Sequence, residues 1–373
     1  MIKKKIVNYV ILILFLIVLY VPYISFQFIG KYLEVDTSEN RNLAEKPVLD
    51  FSSIKSIVRF PSQFDNYWND HLPYRNLIKQ ADASIRYDWL KISPDSRVII
   101  GKNDGKPDYV WLFYNAVKDG NPIGDITGAK VFKSEDKTTI YESITENTKK
   151  LKEKNIELYY LVVPNKSTIY SEKLPDSIKT VDKTRTDDMI EYLENANIDN
   201  AVYVKKELME AKKTADTYYH LDTHWNNYGA FLGTKELMKR IDSDFHLFDD
   251  FEITGDTYVI KRGDLYNFIN INKDFYDKTI GVKNQYIVPY QTTVLEDSLR
   301  LTNNEHYQYD QCVMIIGDSY RGAIIQYFAS LYKEVIHMHR NDYESAMIDK
   351  YQPDIIISVG VERYSYNVLN MDF

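Results

Sequence analysis

The chain has 373 residues, and its 46 lysines and arginines against 54 aspartates and glutamates give a formal net charge of −8. Hydrophobic residues make up 44% and charged residues 27% of the chain, values that are typical of a globular protein and argue against a disordered, collagenous or coiled-coil chain. The acidic balance argues against general nucleic-acid binding, and a single cysteine, Cys312, excludes an internal disulfide framework and a cysteine-based zinc cluster.

The first segment predicts a membrane anchor. Residues 6–30 carry no charged side chain and follow a cluster of three lysines at positions 3–5. A helix over this stretch would be about 37 Å long, enough to cross a hydrocarbon core of about 30 Å. We therefore expect a cytoplasmic tail at 1–5, a transmembrane signal anchor at 6–30 and an extracytoplasmic remainder, which makes a single-pass protein of the cell membrane. A cleaved signal peptide is the alternative, although Pro22–Phe26 offers no A-x-A pattern of a cleavage site.

Residues 31–95 read as a helical stem. After a polar start, apolar residues recur with helical spacing, and Pro73 is expected to divide the stretch into two helices.

From residue 96 to residue 373 the pattern changes to that of an α/β domain. Short apolar runs alternate with longer amphipathic segments, which predicts a parallel sheet covered by helices on both faces. The order of elements between Leu247 and Asp310 does not follow from the pattern. The predicted strands lie at 98–100, 110–113, 156–163, 312–316, 335–338 and 355–359, and the predicted helices at 134–154, 184–196, 226–241 and 322–332.

The sharpest local feature is Gly317-Asp318-Ser319, which directly follows a predicted strand. Open α/β sheets place their ligands at the carboxyl ends of their strands, and the start of the next helix offers free backbone N–H groups. Ser319 is therefore a candidate nucleophile, although a serine there can also simply cap the helix.

A serine nucleophile needs a base and a group that orients the base. Asp222 and His224 are two residues apart, so in an extended segment both side chains point to the same side. The Asp222 carboxylate could then accept from Nδ1 of His224 and leave Nε2 free to take the proton of Ser319. Asn226 would cap the helix that follows. His337 and His339 are reserve candidates for the base.

A metal site is the competing interpretation of the same segment. His220, Asp222 and His224 alternate along one extended face, and Asp256 or Asp264 could supply a further ligand.

These motifs resemble a known group. Gly317-Asp318-Ser319, together with the upstream Asp222-Thr223-His224-Trp225, resembles the SGNH-hydrolase-like O-acetyltransferases of the alginate acetylation type (AlgJ/AlgX-like) and the related DHHW family. In that group the Asp-x-His pair also precedes the nucleophile. Val163-Pro164-Asn165-Lys166, Gly263-Asp264-Leu265 and Val361-Glu362-Arg363-Tyr364 add to the resemblance.

The resemblance implies a permuted SGNH-like sheet and a function. Ser319 would be the nucleophile, His224 the general base and Asp222 its orienting acid, with no cofactor and no metal. Weaker expectations for substrate or oxyanion contacts fall on Arg321, Arg363, Tyr364 and Lys166, where a salt-linked helix end is the alternative.

The expected activity is transfer of acetyl groups to an exopolysaccharide or cell-wall glycan, with a multi-pass membrane-bound O-acyltransferase (MBOAT) as the acetyl supplier. Two alternatives stay open at this point: a glycan acetylesterase with the same triad, and a non-catalytic cell-surface assembly protein.

Overall fold

The structure is a computed structural model that describes residues 2–29, 43–72, 75–103, 105, 108–260, 263–296 and 298–373, without the side chains of 256–260 and of several residues of the first helix. Contacts divide the chain into two compact units. The first contains Met1–Pro94 and Asn267–Lys273, and the second contains Asp95–Tyr266 and Asp274–Phe373.

The helices and strands of the described ranges are numbered in chain order. The helices are α1 Ile2–Ile29, α2 Ile54–His71, α3 Arg75–Ser84, α4 Pro122–Ile126, α5 Ser134–Lys152, α6 Lys166–Ile169, α7 Arg185–Asn195, α8 Lys205–Ala211, α9 Asn227–Ile241, α10 Asp264–Ile269, α11 Ile325–Leu331, α12 Ala346–Tyr351 and α13 Ser365–Leu369. The strands are β1 Val98–Asn103, β2 Val110–Tyr114, β3 Glu157–Val163, β4 Ala201–Tyr203, β5 Glu252–Ile260, β6 Tyr276–Lys283, β7 Gln291–Glu296, β8 Leu299–Asn303, β9 Tyr309–Gly317, β10 Tyr332–His339 and β11 Ile355–Val361.

The first unit is helical. α1 covers most of the predicted anchor, and the stem forms the two expected helices, α2 and α3. Gly30, the start of the stem at 31–42 and the predicted break at Pro73 lie outside the described residues. Within the described ranges, no helix combines the length and the apolarity needed to cross a membrane.

A seven-stranded sheet forms the centre of the second unit. Its strand order is β4-β3-β11-β9-β10-β8-β7, and the first five strands are parallel. The prediction of a wholly parallel sheet was wrong at one edge, because β8 runs antiparallel to β10 and β7 runs antiparallel to β8. The side chains of β7 are exposed throughout, and antiparallel strands tolerate a face open to water better than parallel strands do.

Helices cover both faces of this sheet, and the residue-by-residue alternation of the strands explains why. In β9, Val313 and Ile315 belong to one hydrophobic core, while Met314 and Ile316 belong to the other. The first core also takes apolar side chains from α8, α9 and α11, and the second takes them from α5, α7, α12 and α13. Both faces of the central strands are thus dry, which accounts for their continuous apolar runs.

The parallel strands end at one edge of the sheet, where the chemistry-bearing residues follow them. Ser319 follows β9, Arg340 follows β10, and Glu362 follows β11. In the sheet register Gly317 of β9 lies beside both Val359 and His339. A Cβ atom on Gly317 would lie 2.2 Å from the carbonyl oxygen of Val359, so only glycine permits this approach of β9 to β11.

Replacing this glycine should therefore destabilise the fold. We expect Gly317→Ala to lower the free energy of unfolding by about 1–3 kcal/mol, measured by urea denaturation, because the added methyl group overpacks the strand end. Gly322→Ala is the matched control, since a Cβ there meets nothing within 4 Å, and it should cause no loss. Equal stability of the two variants would contradict this explanation of Gly317.

Candidate active site

Ser319 begins a short 3₁₀ helix, Ser319–Ala323, immediately after β9. The Asp318 carboxylate caps this helix, because Oδ1 accepts from the backbone N–H of Tyr320 at 2.9 Å. Its second oxygen, Oδ2, accepts from the N–H of Val361 at 2.9 Å and so ties the end of β9 to the end of β11. Ser319 itself is exposed, and it is Asp318, not Ser319, that caps the helix. The hydroxyl is therefore available for chemistry.

Asp222 and His224 lie on a tight loop that the backbone pairing of Tyr218 with Trp225 closes. The segment is a turn and not the extended strand that the sequence suggested. Oδ1 of Asp222 accepts from the backbone N–H of His224 at 3.0 Å, a common way for aspartate to stabilise a turn. Asn226 caps α9 as predicted, with Oδ1 accepting from the N–H of Gly229 at 3.0 Å.

The two segments meet, although 95 positions separate their functional side chains in the chain. Nε2 of His224 lies 2.7 Å from Oγ of Ser319, and Nδ1 of His224 lies 2.6 Å from Oδ1 of Asp222. The structure thus brings together a hydroxyl, an imidazole and a carboxylate in the order that nucleophilic acyl transfer uses.

Tyr320 and Trp225 lock these segments to each other. The indole Nε1 of Trp225 donates to the carbonyl of Tyr320 at 3.2 Å, and the hydroxyl of Tyr320 donates to the carbonyl of Thr223 at 2.6 Å. The Tyr320 ring also lies against the His224 ring, with centroids 4.7 Å apart. Both aromatic side chains are fully buried, so each polar contact is made in a dry environment.

The surrounding charges raise the pKa of the His224 imidazole. Burial would lower the pKa of His224, but the hydrogen bond and the negative charge of Asp222 outweigh burial and raise the pKa above its ordinary value. Burial would raise the pKa of Asp222, but the hydrogen bonds and charge of His224 and the N–H of Asp264 lower it well below its ordinary value. Asp222 is therefore ionised at neutral pH, and His224 is a strengthened base.

A second carboxylate, Asp264, supports the loop from behind. It accepts from the backbone N–H of Thr223 at 2.8 Å and from the Thr223 hydroxyl at 2.6 Å, while its own backbone N–H donates to Asp222 at 3.1 Å. Gly263 allows this contact, because a Cβ atom there would lie 2.4 Å from the carbonyl oxygen of Leu221. Sequence reasoning assigned Asp264 only to a possible metal site and missed its role in supporting the loop.

The predicted metal ligands do not come together as a set. Asp222, His224 and Asp264 lie close enough to share an ion, but His220 is turned away. Its buried ring packs against the ring of Trp111, with centroids 4.0 Å apart. Its Nε2 lies 3.1 Å from the carboxylate of Asp216. The side chain of Asp256 is outside the described part of the chain. The alternating pattern from His220 to His224 fails as a ligand set because the loop turns within it.

The reserve bases lie on β10, in the ladder beside β9. His337 pairs with Ile315 and His339 with Gly317, and Nδ1 of His339 accepts from the N–H of Asn341 at 3.2 Å. Burial and the positive charge of Arg321 lower the pKa of both histidines. It is His224 whose Nε2 contacts the Ser319 hydroxyl.

Lys166 and Arg321, two of the weaker candidates, are directed at backbone carbonyls. The Lys166 ammonium is buried and donates to three carbonyls of the Asp222 loop, which uses all of its N–H groups and argues against substrate or oxyanion contact. Nη1 of Arg321 donates to the carbonyls of Gly317 and Asp318.

Arg363 and Tyr364 lie in a stack of arginines and tyrosines beside the nucleophile. The guanidinium carbon of Arg363 lies 5.9 Å from the ring centroid of Tyr320 and 5.2 Å from that of Tyr364. Arg340 covers the Tyr364 ring at 4.5 Å, and the Tyr364 hydroxyl donates to Asp119. Tyr320 is buried, and Arg340, Arg363 and Tyr364 are half-buried, at the edge where Ser319 is exposed.

Glu362 belongs to the segment with Arg363 and Tyr364 that the sequence suggested for substrate or oxyanion contact, but it is fully buried beneath this edge. Its carboxylate accepts from the N–H of Asn165 and from the hydroxyls of Thr168 and Thr184, at 2.6–2.8 Å. Burial raises the pKa of Glu362, and the negative charge of Asp125 adds to the rise. A glutamate at a strand end gives no sequence signal of such burial, because acidic residues are normally exposed.

Fold and site together define an α/β protein in which a serine after a central parallel strand meets a histidine and an aspartate, the arrangement seen in serine hydrolases. The profile described as "SGNH hydrolase-like domain, acetyltransferase AlgX" matches residues 104–333, more than half of the chain. The chain belongs to this family, which confirms the resemblance seen in the sequence. No curated protein sequence matches the chain.

Several solved structures are similar to this chain. PatB1 from Bacillus cereus, solved with a sulfonyl adduct, is 16% identical, with 74% of this chain and 100% of that chain covered and a TM-score of 0.50. A DHHW family protein from Eubacterium siraeum is 13% identical, with 74% and 96% covered and a TM-score of 0.49. The O-acetyltransferase domain of Pseudomonas putida AlgJ is 16% identical, with 74% and 94% covered and a TM-score of 0.45.

The raised pKa of His224 has a measurable consequence. A neutral imidazole is the base, so the rate at which a fluorophosphonate labels Ser319 should reach half of its maximum at a pH above the ordinary histidine pKa of about 6.5. Asp222→Asn removes the negative charge, so the midpoint should move to lower pH while the maximal rate falls by about 10⁴-fold.

The control is Asp216→Asn. This substitution removes the carboxylate partner of His220 and leaves the partner of His224 intact. Its midpoint should equal that of the unmodified protein. An unchanged midpoint in Asp222→Asn would contradict the assigned pairing of Asp222 with His224.

Proposed function

We propose that this protein is an O-acetyltransferase that transfers acetyl groups to hydroxyls of an exopolysaccharide or cell-wall glycan. The observation that carries the proposal is the 2.7 Å contact between Nε2 of His224 and Oγ of Ser319, with Asp222 behind the imidazole. Membership of an SGNH hydrolase-like acetyltransferase family supports the choice of acyl group and of reaction.

The first half-reaction loads the enzyme. His224 takes the hydroxyl proton of Ser319 as Oγ attacks the carbonyl carbon of the acetyl donor, and Asp222 stabilises the imidazolium that forms. The tetrahedral intermediate collapses as the bond to the donor's leaving group breaks. His224 returns the proton to that leaving group, and Ser319 is left as an acetyl ester.

The second half-reaction transfers the acetyl group. His224, neutral again, takes a proton from a sugar hydroxyl, whose oxygen attacks the acetyl ester of Ser319. Collapse of this intermediate releases the acetylated glycan, and the proton returns to Oγ of Ser319. We propose that the arginine–tyrosine surface around Arg363 and Tyr364 contacts the acceptor, because guanidinium groups and aromatic rings suit hydroxyl-rich ligands.

We also propose a membrane location and a partner for this protein, and both rest on the sequence alone. Residues 6–30 are uncharged and follow Lys3, Lys4 and Lys5, so we propose that they anchor the chain and leave residues 96–373 extracytoplasmic. An MBOAT-type protein would supply acetyl groups across the membrane. Anchoring near that source would raise the local donor concentration.

An alkaline carbonate wash of cell membranes tests the anchor. The full chain should stay in the membrane pellet, because an inserted apolar helix resists extraction. Release of the chain into the supernatant would contradict the proposed anchor without affecting the proposed chemistry.

Removing the nucleophile tests the chemistry. We expect Ser319→Ala to lower acetyl transfer from p-nitrophenyl acetate to oligosaccharides by at least about 10³-fold, measured by mass spectrometry of the products, because no acyl-enzyme can form. Fluorophosphonate labelling at residue 319 should disappear too. Ser345→Ala is the control, since Ser345 is exposed and makes no capping bond to α12, and it should behave like the unmodified protein.

The outcomes separate the alternatives. Release of acetate in place of acetylated oligosaccharide would favour an acetylesterase, in which water takes the place of the sugar hydroxyl. An unlabelled Ser319 in the unmodified protein would favour a non-catalytic assembly protein. Activity lost on chelation would favour a metal site at Asp222, His224 and Asp264. Acetyl transfer that persists in Ser319→Ala would contradict the proposal itself.

A further inference from the structure

Lys166 is a buried cation beside the candidate triad that the reaction steps above do not use. Its side chain is 4% exposed, and its Nζ donates to the backbone carbonyls of three residues of one loop. The distances are 3.1 Å to Tyr219, 3.0 Å to His220 and 2.7 Å to Asp222. An ammonium group has three N–H donors, so this geometry satisfies it completely.

The route of the side chain explains how a lysine reaches this position. Lys166 begins α6, three residues after the end of β3 at Val163. Its ammonium lies 5.4 Å from the ring centroid of Phe113 and 5.9 Å from that of Trp111, both fully buried. The aromatic rings exclude water and therefore strengthen each of the three hydrogen bonds.

Buried carboxylates hold the same loop by its N–H groups. Asp277 is 1% exposed and accepts from the N–H of His220 at 2.9 Å and from that of Leu221 at 3.0 Å. Asp264 accepts from the N–H of Thr223. The loop is irregular, and His220, Leu221 and Thr223 are buried. Without the two carboxylates, the N–H groups of these three residues would lose these hydrogen bonds in a buried setting, which is costly.

We propose that Lys166 is a positioning residue whose ammonium, opposed by Asp277, fixes the backbone from Tyr219 to Asp222 so that Asp222 and His224 stand within reach of Ser319. This inference rests on the proposed function, because the distance from His224 to Ser319 affects a rate only if Ser319 is the nucleophile. Loss of the ammonium removes a hydrogen-bond donor from all three carbonyls, of which that of His220 keeps the N–H of Leu112, and the loop moves to find new partners. Displacement of a catalytic group by about 1 Å costs on the order of 10²-fold in rate.

The charges around Lys166 agree with this role. Asp264, Asp277 and Asp222 all face the ammonium and favour its charged form. Burial outweighs them and lowers the pKa of Lys166 to about 8. The ammonium is thus charged at neutral pH and neutralises part of the negative charge that three clustered carboxylates create.

The test compares Lys166→Met with Lys212→Met. Methionine keeps an apolar stem and removes the charge and the donors. Lys212 is the matched control, because its mostly buried ammonium also donates to a backbone carbonyl, that of Ile169, but contacts no residue of the loop. We expect fluorophosphonate labelling of Ser319 to slow by about 10–100-fold in Lys166→Met and to stay unchanged in Lys212→Met.

Two further readouts separate positioning from a general loss of structure or charge. Backbone amides of residues 220–224 should exchange hydrogen faster in Lys166→Met, while amides of β9 and β11 keep their protection. The pH midpoint of labelling should fall, because a loosened Asp222 no longer raises the pKa of His224. Asp222, Asp264 and Asp318 are the charges that raise this pKa. If Lys166 acted through its charge alone, its removal would raise the midpoint instead.

An unchanged labelling rate together with unchanged exchange of the loop amides would overturn the inference. Should Lys166→Met fail to fold, Lys166→Arg decides, since arginine keeps the charge but its planar fork cannot reproduce three convergent donors. We expect slower labelling in that variant, and a rate equal to that of the unmodified protein would overturn the inference. If the unmodified protein is not labelled at all, the proposed function fails, while amide exchange still decides whether Lys166 fixes the loop.

Discussion

The reciprocal contact between Trp225 and Tyr320 is the constraint on which the rest of the site depends. Trp225 donates to the backbone of the segment that carries Ser319, and Tyr320 donates to the backbone of the segment that carries Asp222 and His224. Each of the two aromatic residues is the immediate neighbour of a proposed catalytic residue. Because both are buried in the same core, the position of His224 relative to Ser319 is set by packing as much as by hydrogen bonds. For the proposed reaction, such a fixed arrangement would lower the reorganisation that the chemistry requires.

A second principle is the use of buried charge to support irregular backbone. The loop that carries Asp222 and His224 is neither helix nor strand. Lys166, Asp277 and Asp264 bind several of its peptide groups, in addition to backbone partners such as the N–H of Leu112. Buried charges are costly unless they are paired and hydrogen-bonded. Each of these three charged groups binds backbone groups and also faces an oppositely charged or polar side chain. These contacts offset the free-energy cost of burying the charge and hold the loop in one conformation.

The sequence predicted the central part of the fold well and its margins less well. Apolar runs such as Ile355–Val359 identify strands buried on both faces, and the alternation of these runs with amphipathic segments identifies the covering helices. β7 and β8 escaped prediction, because an exposed edge strand has no such pattern. For the site, the residue types and their order indicated Ser319, Asp222 and His224, and the structure brings these side chains together. The roles of Lys166, Asp264 and Glu362 could not be predicted, because their partners are backbone groups or hydroxyls distant in the chain.

The central claim is that Ser319 carries the acetyl group between donor and acceptor. Its most direct test is peptide mass mapping of the protein after brief reaction with p-nitrophenyl acetate and an acid quench. The account predicts one acetyl group on the peptide that contains Ser319, which disappears on addition of an oligosaccharide acceptor as acetylated product forms. An acetyl group found only on other residues, or product formed while Ser319 is never acetylated, would contradict it.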